Sequence, residues 1–109
     1  MMPMSLFPMF LKLAGRQCLV VGAGPLGESK INGLLLAGAT VRVVAPRATE
    51  GVIEWARAGK IRWEARGFEP ADLDGVFLVI VATSSGELNE LVFREAQPRG
   101  VLCNVVDDP

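Results

Sequence analysis

Residues 17–27 read Q-C-L-V-V-G-A-G-P-L-G, and this stretch decides the fold. Gln17 to Val21 is a short β-rich run that enters Gly22 directly, and Gly24 and Gly27 follow. Beyond them, apolar residues at Leu26, Ile31, Leu34 and Leu35 mark one face of a helix reaching Ala37, which Gly38 stops. A strand, a G-x-G-x-x-G loop and a helix in that order are arranged to hold a diphosphate. Gly22 permits the tight turn, Gly24 leaves no Cβ to block the pyrophosphate, and Gly27 lets the helix lie close to the strand. The first N–H groups of the helix and its dipole attract the phosphates, and Pro25 suits a first turn where its missing N–H costs little. The motif alone is common, and a ligand-free strand-to-helix turn is the plain alternative; the flanking strand and helix give it specificity here.

The rest of the chain repeats the alternation. Thr40 to Ala45 predicts a second strand, closed by Pro46, and Thr49 predicts the cap of a helix over Glu50 to Ala58. Ile61 to Ala65 alternates apolar and polar, as a strand nearer an edge does. Phe68 to Leu73 reads as a turn or one short helix. Val76 to Ala82 is the most apolar run and is expected to be the central strand. A helix opens at Ser85 or Gly86 and reaches about Gln97, and Val101 to Val106 is the last strand. The expected fold is α/β: a Rossmann-like, doubly wound parallel sheet of about five strands in a single domain over residues 1–109. In such a sheet the ligand sits beyond the C-terminal strand ends at the switch in strand order, where the glycine loop, Pro46, Thr83 and Asp107 all fall.

Composition narrows the function. Half of the 109 residues are apolar, and they come in blocks suited to strands covered on both faces. Eleven basic and twelve acidic residues leave a net charge of −1, with no basic stripe for nucleic acid. No histidine is present, so the usual general base and the commonest metal ligand are both missing, and proton chemistry falls to a carboxylate or to the ligand. Cys18 and Cys103 lie far apart within apolar runs and read as small buried hydrophobes, in keeping with a reducing cytoplasm. The apolar start, Met1 to Leu13, lacks the basic cluster of a signal peptide and is interrupted by Pro3 and Pro8. No run approaches the ~20 apolar residues that span a bilayer, so neither membrane nor nucleic acid is an expected partner.

One position departs from the common dinucleotide pattern. An acid usually ends the second strand and grips the ribose hydroxyls, whereas here the sequence runs Ala45, Pro46, Arg47, with no acid until Glu50. Either backbone groups hold the ribose or Arg47 meets a 2′-phosphate, so the residues leave NAD and NADP both open. Glu28 and Lys30 read as a solvated face of the first helix, and Asn104 as either a cofactor-orienting group or a strand-end turn residue.

From Leu6 onward the chain resembles the N-terminal domain of the siroheme synthase family, which comprises precorrin-2 dehydrogenases, some of them also sirohydrochlorin ferrochelatases. The resemblance is carried by L-F-P-M-F-L-K-L-A-G-R, by C-L-V-V-G-A-G-P-L-G-E-S-K and by L-L-L-A-G-A-T-V-R-V-V-A-P. It continues through G-K-I-R-W, F-L-V-I-V-A-T-S and L-N to N-V-V-D-D-P. It implies NAD-dependent oxidation of precorrin-2 to sirohydrochlorin and, in bifunctional members, insertion of ferrous iron. It implies Asp107 as the catalytic residue. Positions matching those that line the cofactor are Gly22, Ala23, Gly24, Pro25, Leu26 and Gly27, then Pro46 and Arg47, with Thr83 and Ser84 on the nicotinamide side. No metal ligand is assigned. Family members continue past N-V-V-D-D into a homodimerisation region and a helical domain, so the chain reads as a cofactor-binding fragment expected to turn over precorrin-2 poorly alone. A nucleotide-sensing regulatory module without catalysis is the alternative.

Overall fold

The structure, a computed structural model, describes residues 12–106. Strand β1 (Gln17–Val21) passes through the glycine loop into helix α1 (Pro25–Leu36). Strand β2 (Thr40–Val44), helix α2 (Glu50–Arg57) and strand β3 (Arg62–Glu64) follow. After a 3₁₀ turn (Pro70–Leu73) come β4 (Leu78–Val81), α3 (Gly86–Ala96) and β5 (Leu102–Val105). All five strands are parallel, in the order β3-β2-β1-β4-β5. The chain starts in the middle, winds outward to β3, and returns to lay β4 against the other side of β1. The switch in strand order therefore lies between β1 and β4, directly above the glycine loop.

This is the doubly wound α/β sheet expected from the sequence, with two corrections. The most apolar run forms β4, but β1 holds the centre and β4 lies beside it. All four residues of β4 are buried because helices and neighbouring strands cover it on both faces. An apolar run therefore reports burial rather than the middle position. The edge strand β3 is also shorter than expected, three residues long, since only Arg62 to Glu64 pair with β2.

Two apolar layers flank the sheet. On one face Val20, Val41, Val43 and Ile80 pack under Ile31 and Leu34 of α1 and Val52 of α2. On the other, Leu19, Val21, Val79 and Val81 pack under Val92 and Ala96 of α3 and Leu73 of the 3₁₀ turn. Each fully buried Val, Leu or Ile contributes roughly 1.5–3 kcal/mol, so these layers supply the main drive to fold. Cys18 is buried and Cys103 half-buried, both are free thiols, and burial pushes both up in pKa, which suits the small-hydrophobe reading.

On the α3 face, next to β2 and β3, an ionic cluster takes part of the role of a helix. Asp72, only 5% exposed, takes both arms of Arg66 at 2.7 and 3.0 Å and the N–H of Glu69 at 2.8 Å. Arg42 of β2 donates to the Asp72 carbonyl at 2.6 Å and to Glu64 of β3 at 3.1 Å, and Arg66 donates to Glu64 at 2.8 Å. Burial works to raise the Asp72 carboxyl, but the grip of Arg66, with Glu69 and Arg42, outweighs it and holds the group below the usual carboxylate range. A carboxyl lowered in the folded state contributes stability above its unfolded pKa and loses it as pH falls through the folded one. Asp72→Ala is expected to cost about 2–3 kcal/mol at neutral pH, because it removes the two-armed acceptor of Arg66 and leaves Glu64 alone to balance Arg66 and Arg42. It should also flatten the fall in stability below about pH 4. Urea melts at neutral pH and at about pH 3 check both effects, and equal losses at the two would place the stabilisation elsewhere.

Candidate dinucleotide-binding site

A cleft of about 500 Å³ opens at the C-terminal ends of β1 and β4. One bank is Gly24, Pro25 and Leu26; the other is Ala82, Thr83 and Ser84, with Asn89 from α3. A second depression of about 300 Å³ shares Gly24 and is walled by Ala23, Arg47, Ala48 and Thr49. Gly24 is thus common to both hollows, as a residue under the middle of a two-lobed ligand would be.

The three loop glycines do different work. At Gly22 the backbone is left-handed (φ 109°), and a Cβ would strike the Ala82 carbonyl. At Gly27 a Cβ would strike the Gly22 carbonyl. These two residues are required by the turn and by the approach of α1 to the sheet. Gly24 has ordinary extended dihedrals (φ −81°, ψ −166°), and a Cβ there would meet nothing within 4 Å. Neither conformation nor packing calls for glycine at position 24. Its missing side chain clears open space in the cleft.

Helix starts point the same way. Thr49 caps α2, its hydroxyl accepting from the Val52 N–H at 3.2 Å, and Ser85 caps α3, accepting from the Leu88 N–H at 3.2 Å. Helix α1 has no side-chain cap; Pro25 fills its first position, and the Glu28 N–H bonds the Gly24 carbonyl at 2.8 Å. Its early amides, at Leu26 and Gly27, have no acceptor within the helix and carry partial positive charge suited to an anion.

Not every expected residue meets the cleft. Gly22 and Gly27 lie behind it as spacers, and Pro46 is exposed without lining either hollow. Arg47 lines the smaller hollow, and Thr83 and Ser84 line the larger, opposite the glycine loop. Asn104 stands within β5 opposite Ile80, exposed and away from the cleft lining. Asp107 lies outside the described residues, which end at Val106, whose N–H bonds the Val81 carbonyl at 2.9 Å. Glu28, expected on a solvated face, is half-buried and accepts the Thr49 hydroxyl at 2.6 Å, because the start of α2 lies beside the first turn of α1.

Asn89 was not singled out as a site residue. The Thr83 hydroxyl donates to its Oδ1 at 2.6 Å, and its amide returns a bond to the Thr83 carbonyl at 3.3 Å. Thr83 also accepts from the Ser85 N–H at 3.2 Å, so its hydroxyl is engaged within the protein. Asn89 keeps a second amide hydrogen at the cleft. The signals for it were its place in the first turn of a helix that starts at the switch point and its membership of the L-N pair, Leu88–Asn89, within the resemblance.

A family model described as "Putative NAD(P)-binding" matches residues 9–109. The chain belongs to that family. Among curated proteins, the siroheme synthase of Methylobacillus flagellatus is 47% identical over 106 residues, covering 97% of this chain and 23% of that protein. Siroheme synthase 1 of Cronobacter sakazakii is 49% identical over 105 residues, covering 96% and 22%. Among solved structures, "SirC, precorrin-2 dehydrogenase" superposes with a TM-score of 0.84 at 32% identity over 95% of this chain and 51% of that one. These matches bear out the resemblance to siroheme synthase N-terminal domains. Shikimate dehydrogenase from Aquifex aeolicus, at 20% identity and a TM-score of 0.57, shares the fold. This chain of the NAD(P)-binding family spans less than a quarter of the siroheme synthases it matches and about half of the SirC structure.

The glycine geometry separates binding from folding. Gly24→Val is expected to leave the melting temperature unchanged while weakening dinucleotide binding at least about tenfold. Gly27→Ala is expected to lower stability by about 1–3 kcal/mol through overpacking. Thermal melts with calorimetric titration check the contrast; undiminished binding by Gly24→Val would remove the loop from the site.

Proposed function

We propose that the chain is the NAD-binding domain of a precorrin-2 dehydrogenase acting in siroheme biosynthesis. The observation that carries this reading is the bare backbone of Gly24 between two hollows, beside the uncapped start of α1. The residues fit the cofactor: the Leu26 and Gly27 amides would hold the pyrophosphate, Arg47 the adenosine end, and Thr83, Ser84 and Asn89 the nicotinamide end. A bound nicotinamide ring supplies a hydride acceptor.

The protein's own contribution is then orientation and proton removal. The Thr83–Asn89 pair keeps one wall of the cleft fixed, and the apolar ends of β1 and β4 beneath it keep water from the floor. Asp107, next after the end of β5 and its Val106 neighbour, is proposed as the carboxylate that takes the proton when precorrin-2 loses hydride and becomes sirohydrochlorin. Within these 109 residues, which hold no histidine, a carboxylate is the natural base for this step. Insertion of ferrous iron, assembly as a homodimer and a cytoplasmic setting belong to the same reading of the longer protein. Residues 1–109 form its cofactor domain and alone turn over precorrin-2 poorly. NAD is proposed over NADP on the family resemblance, although Arg47 offers a 2′-phosphate a partner.

Calorimetric titration with NAD and NADP, followed by precorrin-2 oxidation in a longer protein carrying this domain, tests the proposal. Asp107→Ala is expected to slow oxidation by about 10²-fold or more, the usual scale for a lost general base, with NAD affinity nearly unchanged. Retained oxidation would remove Asp107 from the chemistry. Nucleotide binding with no oxidation in the intact protein would favour the regulatory-module alternative.

A further inference from the structure

The loop between β2 and α2, which carries Arg47, is pinned at both ends. At its start the Ala45 N–H bonds the Glu64 carbonyl at 3.2 Å, and the Trp63 indole N–H bonds the Ala45 carbonyl at 2.9 Å. At its end Thr49 holds the loop through its N–H and its hydroxyl. Its N–H donates to the Ala23 carbonyl of the glycine loop at 3.0 Å, its hydroxyl donates to Glu28 Oε1 at 2.6 Å, and the same oxygen accepts from the Val52 N–H at 3.2 Å. Glu28 thus reaches from the first turn of α1 to the start of α2, where the helix dipole favours a carboxylate.

Gly51 supplies a second, independent observation. It lies in the first turn of α2 outside the left-handed region, where the backbone does not call for glycine and helix propensity is poorest short of proline. A Cβ there would come within 2.6 Å of Glu28 Oε2 and 2.8 Å of the carboxyl carbon. The missing side chain makes room for the Glu28 carboxylate, just as that of Gly24 clears the cleft.

We infer that Glu28 is a positioning residue: through Thr49 it holds the 46–48 loop against Ala23 and Gly24, and so sets affinity for the adenosine half of the dinucleotide. The acid that usually ends β2 and touches the ribose is absent here, and Glu28 serves that end of the site from α1, by fixing the loop. The inference rests on the reading of the glycine loop as the dinucleotide site.

Calorimetric titration of the 109-residue chain with NAD and with ADP-ribose, which lacks the nicotinamide, tests it. Glu28→Ala is expected to weaken both ligands by the same factor, about tenfold, the scale of a lost charge-assisted hydrogen bond. Glu28→Gln, which keeps an acceptor for the Thr49 hydroxyl, should restore affinity to within about threefold. Gly51→Ala should weaken both ligands while leaving the melting temperature level or higher, since the new methyl displaces the carboxylate but favours the helix. A purely structural role would move melting and binding together. Wild-type affinity in Glu28→Ala and Gly51→Ala, or a loss seen with NAD but not with ADP-ribose, overturns the inference. A wild-type chain that binds neither ligand overturns the underlying site assignment instead.

Discussion

The structure depends on a contact that leaves no room for a side chain. Gly22 faces the Ala82 carbonyl and Gly27 faces the Gly22 carbonyl, each so closely that one added carbon would collide. Because α1 can approach to this distance, its first turn lies over the junction of β1 and β4 rather than beyond it. The glycine loop, the start of α1 and the end of β4 then converge at one place. A wider spacing would leave a helix start with no opposing wall.

From that contact the helix starts divide their work. Among the described helices, α2 and α3 each satisfy one early amide with a cap side chain, Thr49 and Ser85, while α1 begins on Gly24 and Pro25 without one. The saving in side-chain capping is a cost to the protein without ligand. The fold offsets it elsewhere, through apolar layers on both faces and through the Asp72–Arg66–Arg42–Glu64 cluster that ties the 3₁₀ turn to β2 and β3. That cluster makes the far end of the sheet sensitive to acid, whereas the cleft at its middle is walled by the glycine loop on one side and by Thr83, Ser84 and Asn89 on the other.

Much of this was legible in the sequence, for identifiable reasons. Element order followed from apolar blocks separated by glycine and proline, and the Thr49 cap was visible because capping is local. The central strand was misjudged because Val76 to Ala82 records burial on two faces, which a strand beside the centre shares. The motif already marked Gly24 as ligand-facing and Gly22 and Gly27 as turn and packing positions, and in the fold a Cβ is barred at the latter two but not at Gly24. Glu28 and Asn89 were missed as contributors because their meaning depends on partners, Thr49 and Thr83, that only the folded chain brings within reach. A carboxylate in the first turn of a helix looks like any other until the start of a second helix is brought beside it.

The two banks of the cleft come from opposite halves of the chain and are joined by the pairing of β1 with β4, Cys18 against Leu78 through Val21 against Val81, and by the close approach of Gly22 to Ala82. A chain emerging in order from its N-terminus completes the glycine loop, α1, β2, α2 and β3 while the opposite wall is still unmade. Closure of such a long connection is among the slower events in folding an α/β domain. Competence to hold a nucleotide therefore arrives late and all at once, and a ligand that recognises both banks draws its partner only from molecules that have finished folding.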